Sequence, residues 1–282
     1  MAHRYQDFDQ GTLPWLDRPD ALEAIEAKLA GGEIDQEQAG WLRKWHQDGY
    51  LVFEGLFDAE IAEGINADVQ AIYDEYGHLP LHELREHFKN AYHRSEWTCR
   101  ALVLPQVLER LDLLLGARMI PHQTLNLPVS SQQKAHSDQI LMTTQPIGFM
   151  AAAWFALEDI DSECGPLLVY PGSHRLSYVS AEEVGIPREA TPPEVDRIYD
   201  ERYYDMIETR IRESGVEPWA FVPKQGDVLV WHSNLLHAAA LIEREGATRR
   251  SLIAHYFADH TQHYSDMYGW DCISPELRDP AR

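Results

Sequence analysis

Cysteine, basic charge and long apolar runs are all scarce in this chain. Three cysteines, Cys99, Cys164 and Cys272, are scattered over 282 residues with no Cys-x-x-Cys pair, which argues against a disulfide framework and a cysteine-built zinc site. Each is expected to be a buried, reduced thiol. Lysine and arginine number 24 against 46 aspartates and glutamates, a formal charge of −22. A field of that sign disfavours phosphate backbones and anionic lipid, so neither nucleic acid nor membrane is an expected partner. No apolar stretch reaches the ~18 residues that cross a bilayer. Met1-Ala2-His3-Arg4-Tyr5-Gln6-Asp7 also lacks the apolar run of a signal peptide. The expectation is a soluble, cytoplasmic protein.

What is present can build a full core. With 44% hydrophobic and 10% aromatic residues over 282 positions, the chain is read as a single domain. Residues 1–44 form a helical extension, 45–260 the core and 261–282 a tail. Helical spacing runs through Asp20 to Ala30, stopped by Gly31-Gly32, then through Ile61, Ile65, Val69 and Ile72, and through Leu108, Leu111 and Leu115 up to Gly116. A short strand is expected at 49–53. Beyond Gly116 the texture changes to strand-like segments at 148–157, 167–170, 227–231 and 251–257, punctuated by glycine and proline. The fold class is therefore mainly β with flanking helices, the core a double-sheet jelly roll, that is, a cupin-like double-stranded β-helix.

One interruption stands out. Some fifty residues rich in charge and tyrosine separate Pro171-Gly172-Ser173-His174 from Gly226-Asp227, and an insertion that long between core strands is usually functional. Residues from about 175 to 215 are expected to form a mobile lid with few buried contacts.

The chemistry sits in three ordered pieces: His136-Ser137-Asp138, His237 and Arg249. Two imidazoles and a carboxylate can hold a ferrous ion by one face and leave the other positions open. A His-x-Asp triplet alone is weak, since roughly one or two are expected by chance in a chain this rich in histidine. A second stands at His46-Gln47-Asp48, but within the helical spacing of Trp41, Leu42 and Trp45, where residues two apart diverge by about 200°. Around His136 the chain reads as extended, so positions i and i+2 share a side. His232 and Arg250 compete with His237 and Arg249, and strand alternation sends both to the opposite face.

Together with Ala153-Trp154-Phe155-Ala156-Leu157, Gly165-Pro166-Leu167, Pro171-Gly172-Ser173-His174 and Gly226-Asp227, these residues resemble the phytanoyl-CoA dioxygenase family of iron(II)/2-oxoglutarate oxygenases, over roughly residues 45 to 260. The resemblance implies that His136, Asp138 and His237 bind Fe(II) and that 2-oxoglutarate and O2 take the open positions. Arg249 would then grip the distal carboxylate of 2-oxoglutarate, a role its planar fork suits, with Trp154 beside the co-substrate. Relatives often carry a hydroxyl two positions after the distal histidine, where this chain has Ala239. Thr124, Asn126 and Ser251 are candidate replacement donors.

The implied reaction is hydroxylation or another oxidation of an unactivated C–H bond in a small organic substrate, with succinate and CO2 released, a chemistry at home in secondary metabolism. The presence of Asp138 disfavours halogenation, because halogenating relatives replace that carboxylate with a small residue. A zinc protein on the same scaffold is the alternative from another class, and Arg249 speaks against it, since zinc needs no neighbouring buried cation. An acyl-CoA substrate is a further alternative, disfavoured because Lys134, Arg175 and Lys224 are scattered rather than clustered. The expected substrate is neutral or cationic, mid-sized and partly apolar.

Overall fold

A computed structural model of the chain describes residues 12–269. Helices α1 (Ala21–Ala30) and α2 (Gln36–Asp48) come first. Asp35 starts α2 with a reciprocal cap, its carboxylate accepting from the Gln38 N–H while the Gln38 side chain accepts from the Asp35 N–H. Gly49 ends it in the left-handed region at φ 77°. A Cβ there would also stand 2.4 Å from the His174 ring, so only glycine fits. Strand β1 (Tyr50–Phe53) follows at once, then α3 (Ala59–Tyr76), α4 (Leu81–Phe88), α5 (Glu96–Leu102) and α6 (Pro105–Leu115).

The remaining strands are β2 (Met119–Leu127), β3 (Thr143–Gln145), β4 (Met150–Ala156), β5 (Leu167–Val169), β6 (Trp219–Phe221), β7 (Val228–His232), β8 (His237–Ala239), β9 (Ser251–Ala258) and β10 (Gln262–Tyr264). They form a five-stranded sheet in the order β1-β7-β4-β9-β2, a three-stranded sheet β6-β5-β8 and a pair β10-β3, with antiparallel pairing throughout.

Side-chain alternation divides the larger sheet cleanly. Ala151, Ala153, Phe155, Val228, Val230, Leu252, Ala254 and Tyr256 join the helices in one core. Ala152, Trp154, Leu229 and Trp231 face the other way, against Leu167, Val169 and Phe221 of the small sheet. Both faces are covered, so β4 and β7 are buried at every position. This is why they read as unbroken apolar runs.

Two expectations need correcting. The insertion is not poor in buried contacts: it folds into α7 (Ala181–Val184), α8 (Pro192–Ile198), a π-turn (Tyr199–Tyr203) and α9 (Tyr204–Ser214). Val184, Val195, Ile198, Tyr199, Tyr203 and Ile207 are buried with Ile140, Ile147 and Leu236 in a core of their own. Burying an aliphatic side chain of this size contributes about 1.5–3 kcal/mol, so the density of surface charge misled. The segment from residue 261 begins not as a tail but as β10, paired with β3; residues 270–282 lie outside the described part, as do residues 1–11.

Of the cysteines, Cys164 is buried as expected and Cys99 is only half-buried, while Cys272 lies outside the described residues. Among the described residues no helix is long and apolar enough to cross a membrane.

Candidate metal centre and co-substrate pocket

The two histidines meet through their backbones. His136 N–H donates to the His237 carbonyl at 3.0 Å and His237 N–H to the His136 carbonyl at 2.9 Å, an isolated antiparallel bridge that ties β8 to the loop after β2. Ser137 is extended (φ −112°, ψ 148°) and a 3-10 turn starts at Asp138, so His136 and Asp138 project to the same side. The ligand atoms of His136, Asp138 and His237 all lie within 4.8 Å of one another, each residue buried. Asp138 Oδ1 is 3.8 Å from His136 Nε2 and 3.7 Å from His237 Nε2.

Which ring nitrogens face inward follows from the outer contacts. His136 Nδ1 is 2.9 Å from the Lys134 carbonyl and His237 Nδ1 is 3.0 Å from the Leu235 carbonyl. A carbonyl only accepts, so Nδ1 carries the hydrogen in each ring and the Nε2 lone pair points at the centre. Burial first, then the neighbouring His237, pushes His136 down to about 4, which keeps it neutral and able to ligate at neutral pH. Burial alone would raise the Asp138 carboxyl, but the surrounding imidazoles, His237 foremost, offset this and hold it well below the usual range. Two imidazole nitrogens and one anionic oxygen converging in a buried site suit a divalent transition metal.

The second oxygen of Asp138 is also engaged. Trp231 donates its indole N–H to Oδ2 at 2.9 Å, and His255 Nε2 lies 3.7 Å from the same atom. Neither residue is evident from the sequence motif. His255 could have been found, since it lies six residues beyond Arg249 and alternation puts both on one face.

Apart from the candidate ligands, three residues of the inner face carry buried polar atoms without a partner among the described residues. Arg249 is 1% exposed. Its Nη1 donates to the Gly165 carbonyl at 3.1 Å, while Nε has no partner. Burial lowers the guanidinium to about 10, which leaves it charged at neutral pH. Its carbon is 5.8 Å from the centre of the Trp154 ring. Trp154 Nε1 and Ser251 Oγ are likewise buried without a partner. A buried cation with no counter-charge and two unsatisfied polar groups are costly. A carboxylate ligand would satisfy the guanidinium.

Strand register decides which candidates share this pocket. Ser251 pairs with Ala156 and Ile253 with Trp154, on the inner face. Thr124 pairs with Ala254 and Asn126 with Leu252, and both partners belong to the core under the helices. Directly paired residues point the same way, so Thr124 and Asn126 face away from Arg249 and are not placed to bind the co-substrate.

The competitors are occupied elsewhere. His232 Nε2 is 3.1 Å from Asp17 Oδ2, and Arg250, whose side chain is 40% exposed, is 3.9 Å from Glu158. In the second triplet, His46 contacts the Leu16 carbonyl and Asp48 pairs with Lys44 at 2.6 Å.

Comparison with known proteins agrees with this geometry. The phytanoyl-CoA dioxygenase family model matches residues 45–250. The peroxisomal phytanoyl-CoA dioxygenase of Bos taurus is 25% identical over 251 residues, covering 80% of this chain and 70% of the relative. Among solved structures, the epimerase SnoN from nogalamycin biosynthesis, in complex with Fe3+, alpha ketoglutarate and nogalamycin RO, superposes with a TM-score of 0.59 at 18% identity, covering 94% of each chain. EctD from S. alaskensis, with 2-oxoglutarate and 5-hydroxyectoine, gives 0.56 at 18% identity over 80% of this chain and 76% of EctD. These structural likenesses are of fold, whereas the family match spans the ligand triad and Arg249 in one continuous stretch. On that match the chain belongs to the phytanoyl-CoA dioxygenase family, the non-haem iron dioxygenases that use 2-oxoglutarate.

Proposed function

We propose that this enzyme oxidises, most simply by hydroxylation, an unactivated C–H bond of a small organic molecule and releases succinate and CO2. In this reading the two facing sheets are a double-stranded β-helix, and His136, Asp138 and His237 hold Fe(II). Iron with 2-oxoglutarate supplies the oxidising power through decarboxylation of the oxoacid. The protein's own residues do the rest. His136 stays neutral, Trp231 fixes one oxygen of Asp138, and Arg249 takes the distal carboxylate with help from Ser251 and the Trp154 indole.

The observation that carries the reading is the buried Arg249, its Nε unpaired and its guanidinium carbon 5.8 Å from the centre of the Trp154 ring. A zinc site has no use for a desolvated cation there, whereas a dicarboxylate does. The helical insertion keeps bulk water from the centre, as closing elements do in other enzymes.

For the substrate we favour a neutral or cationic, partly apolar molecule of the kind met in secondary metabolism, handled in the cytoplasm. SnoN was solved with nogalamycin RO and EctD with 5-hydroxyectoine. The phosphates of an acyl-CoA would need a basic cluster, yet Lys224 pairs with Asp159 at 3.0 Å, Lys134 lies over the Tyr204 ring and Arg175 reaches the His46 carbonyl.

The test is succinate formation by iron-loaded protein across a panel of small molecules and CoA thioesters. Stimulation by neutral or cationic compounds is expected. Stimulation by thioesters alone would overturn the substrate class, and a protein that binds iron without binding 2-oxoglutarate would overturn the reaction.

A further inference from the structure

Residue 137 is the hinge of the metal centre, because His136 and Asp138 face the same side only while Ser137 stays extended. An extended residue turns its own N–H and C=O to one side, where a neighbouring strand normally exchanges both hydrogen bonds with it. At Ser137 a side chain takes that place. The Tyr203 hydroxyl accepts from the Ser137 N–H at 3.0 Å and donates toward the Ser137 carbonyl at 3.3 Å. Tyr203 is fully buried, and its ring stacks on Tyr199 at 4.5 Å with 14° between the planes. Both tyrosines belong to the π-turn at Tyr199–Tyr203, a wide turn of a kind that recurs at functional sites. The turn lies 66 residues from Ser137 in sequence, in the middle of the helical insertion.

We propose that Tyr203 is a positioning residue for the metal centre, holding Ser137 extended so that metal binding and closure of the helical insertion are one coupled equilibrium. The inference rests on the proposed metal reading of His136, Asp138 and His237. It follows that metal affinity depends on the insertion and, reciprocally, that a bound metal steadies the insertion. Burial pushes the Tyr203 phenol up to about 12, so the hydroxyl keeps its proton and can serve as donor and acceptor together.

The test uses the full chain and Co(II), a redox-stable probe whose absorption reports ligand geometry. Tyr203→Phe keeps the ring and its stacking but loses the bridge. Tyr204→Phe, at a half-buried ring packed edge-on against the same two tyrosines, is the control. Expected in Tyr203→Phe are a Co(II) affinity lower by roughly three- to tenfold, the value of one or two neutral hydrogen bonds, and an altered cobalt spectrum. Hydrogen exchange in segment 192–214 should slow on metal addition in wild type and in Tyr204→Phe but not in Tyr203→Phe. Equal affinity, spectrum and metal-induced protection in wild type and Tyr203→Phe would overturn the proposal while leaving the metal site standing. A wild-type chain that takes up no cobalt would overturn both.

Discussion

Trp231 donates its indole N–H to Oδ2 of Asp138, so the carboxylate presents Oδ1 to the two histidines. The orientation of this candidate ligand, at the start of a 3-10 turn, is thereby set by a residue on β7. Trp231→Phe should weaken iron binding roughly 10- to 100-fold, the usual effect of losing an outer partner of a metal ligand. Asp138→Ala should weaken binding and abolish oxoacid decarboxylation, and Asp48→Ala in the second triplet should leave both near normal. Iron stoichiometry after dialysis and succinate yield read out all three; equal losses at Asp48 and Asp138 would refute the assignment.

Arg249 and Arg250 separate two effects that truncation usually mixes. Arg249→Met should remove most 2-oxoglutarate binding, about 2–5 kcal/mol for a buried charged partner, while Arg250→Met costs little. Because the Arg249 guanidinium is buried without a counter-charge, its loss should not lower the melting temperature of the ligand-free protein. Anaerobic titration with 2-oxoglutarate, paired with calorimetry of the apoprotein, measures both. A large drop in melting temperature for Arg249→Met would show that the cation is satisfied within the fold.

The hydroxyl missing at Ala239 has one remaining substitute among the three candidates. Ser251→Ala should weaken 2-oxoglutarate by roughly 1–3 kcal/mol, as for a hydrogen bond to a charged group. Thr124→Val and Asn126→Leu should leave its affinity unchanged, since both side chains face the helical layer. The same titration decides, and a loss at Thr124 equal to that at Ser251 would refute the strand register.

Acid should destabilise the metal-free protein before it protonates ordinary carboxylates. Burial first, then repulsion from His263 and His255, lowers His122 to about 3. The unfolded chain therefore binds a proton below its ordinary value near 6.5 that the folded chain refuses. Stability from this residue is full above about 6.5 and falls with pH, by at most ~2 kcal/mol at pH 5. Denaturant melts at pH 7 and pH 5 should show the loss, and His122→Gln should reduce it; an unchanged pH slope in that variant would refute the assignment.

Much of the site was legible because the relevant signals are local. His136-Ser137-Asp138 is a triplet whose meaning turns on one extended residue, and the false triplet at His46 could be dismissed from helical spacing alone. Helix ends at Gly31 and Gly116 and the strand at Ser251–Ala258 followed from glycine and alternation in the same way. What failed was long-range. Thr124 and Asn126 alternate as a strand should, but the face they occupy is set by pairing with Ala254 and Leu252, more than a hundred residues away. Trp231 reaches Asp138 across 93 residues and Tyr203 reaches Ser137 across 66. The tyrosine-rich insertion read as a mobile lid with few buried contacts because its apolar residues are spaced between charges, and only packing against Ile140, Ile147 and Leu236 makes them a core.

The reciprocal backbone bridge between His136 and His237 makes the two imidazoles a platform whose spacing owes nothing to the side chain at 138. In the proposed metal reading, the third ligand is then a replaceable module. A single codon change at that position would leave the platform intact and open a fourth coordination vacancy, so the scaffold lies one mutational step from a different inorganic chemistry without having to rebuild its core.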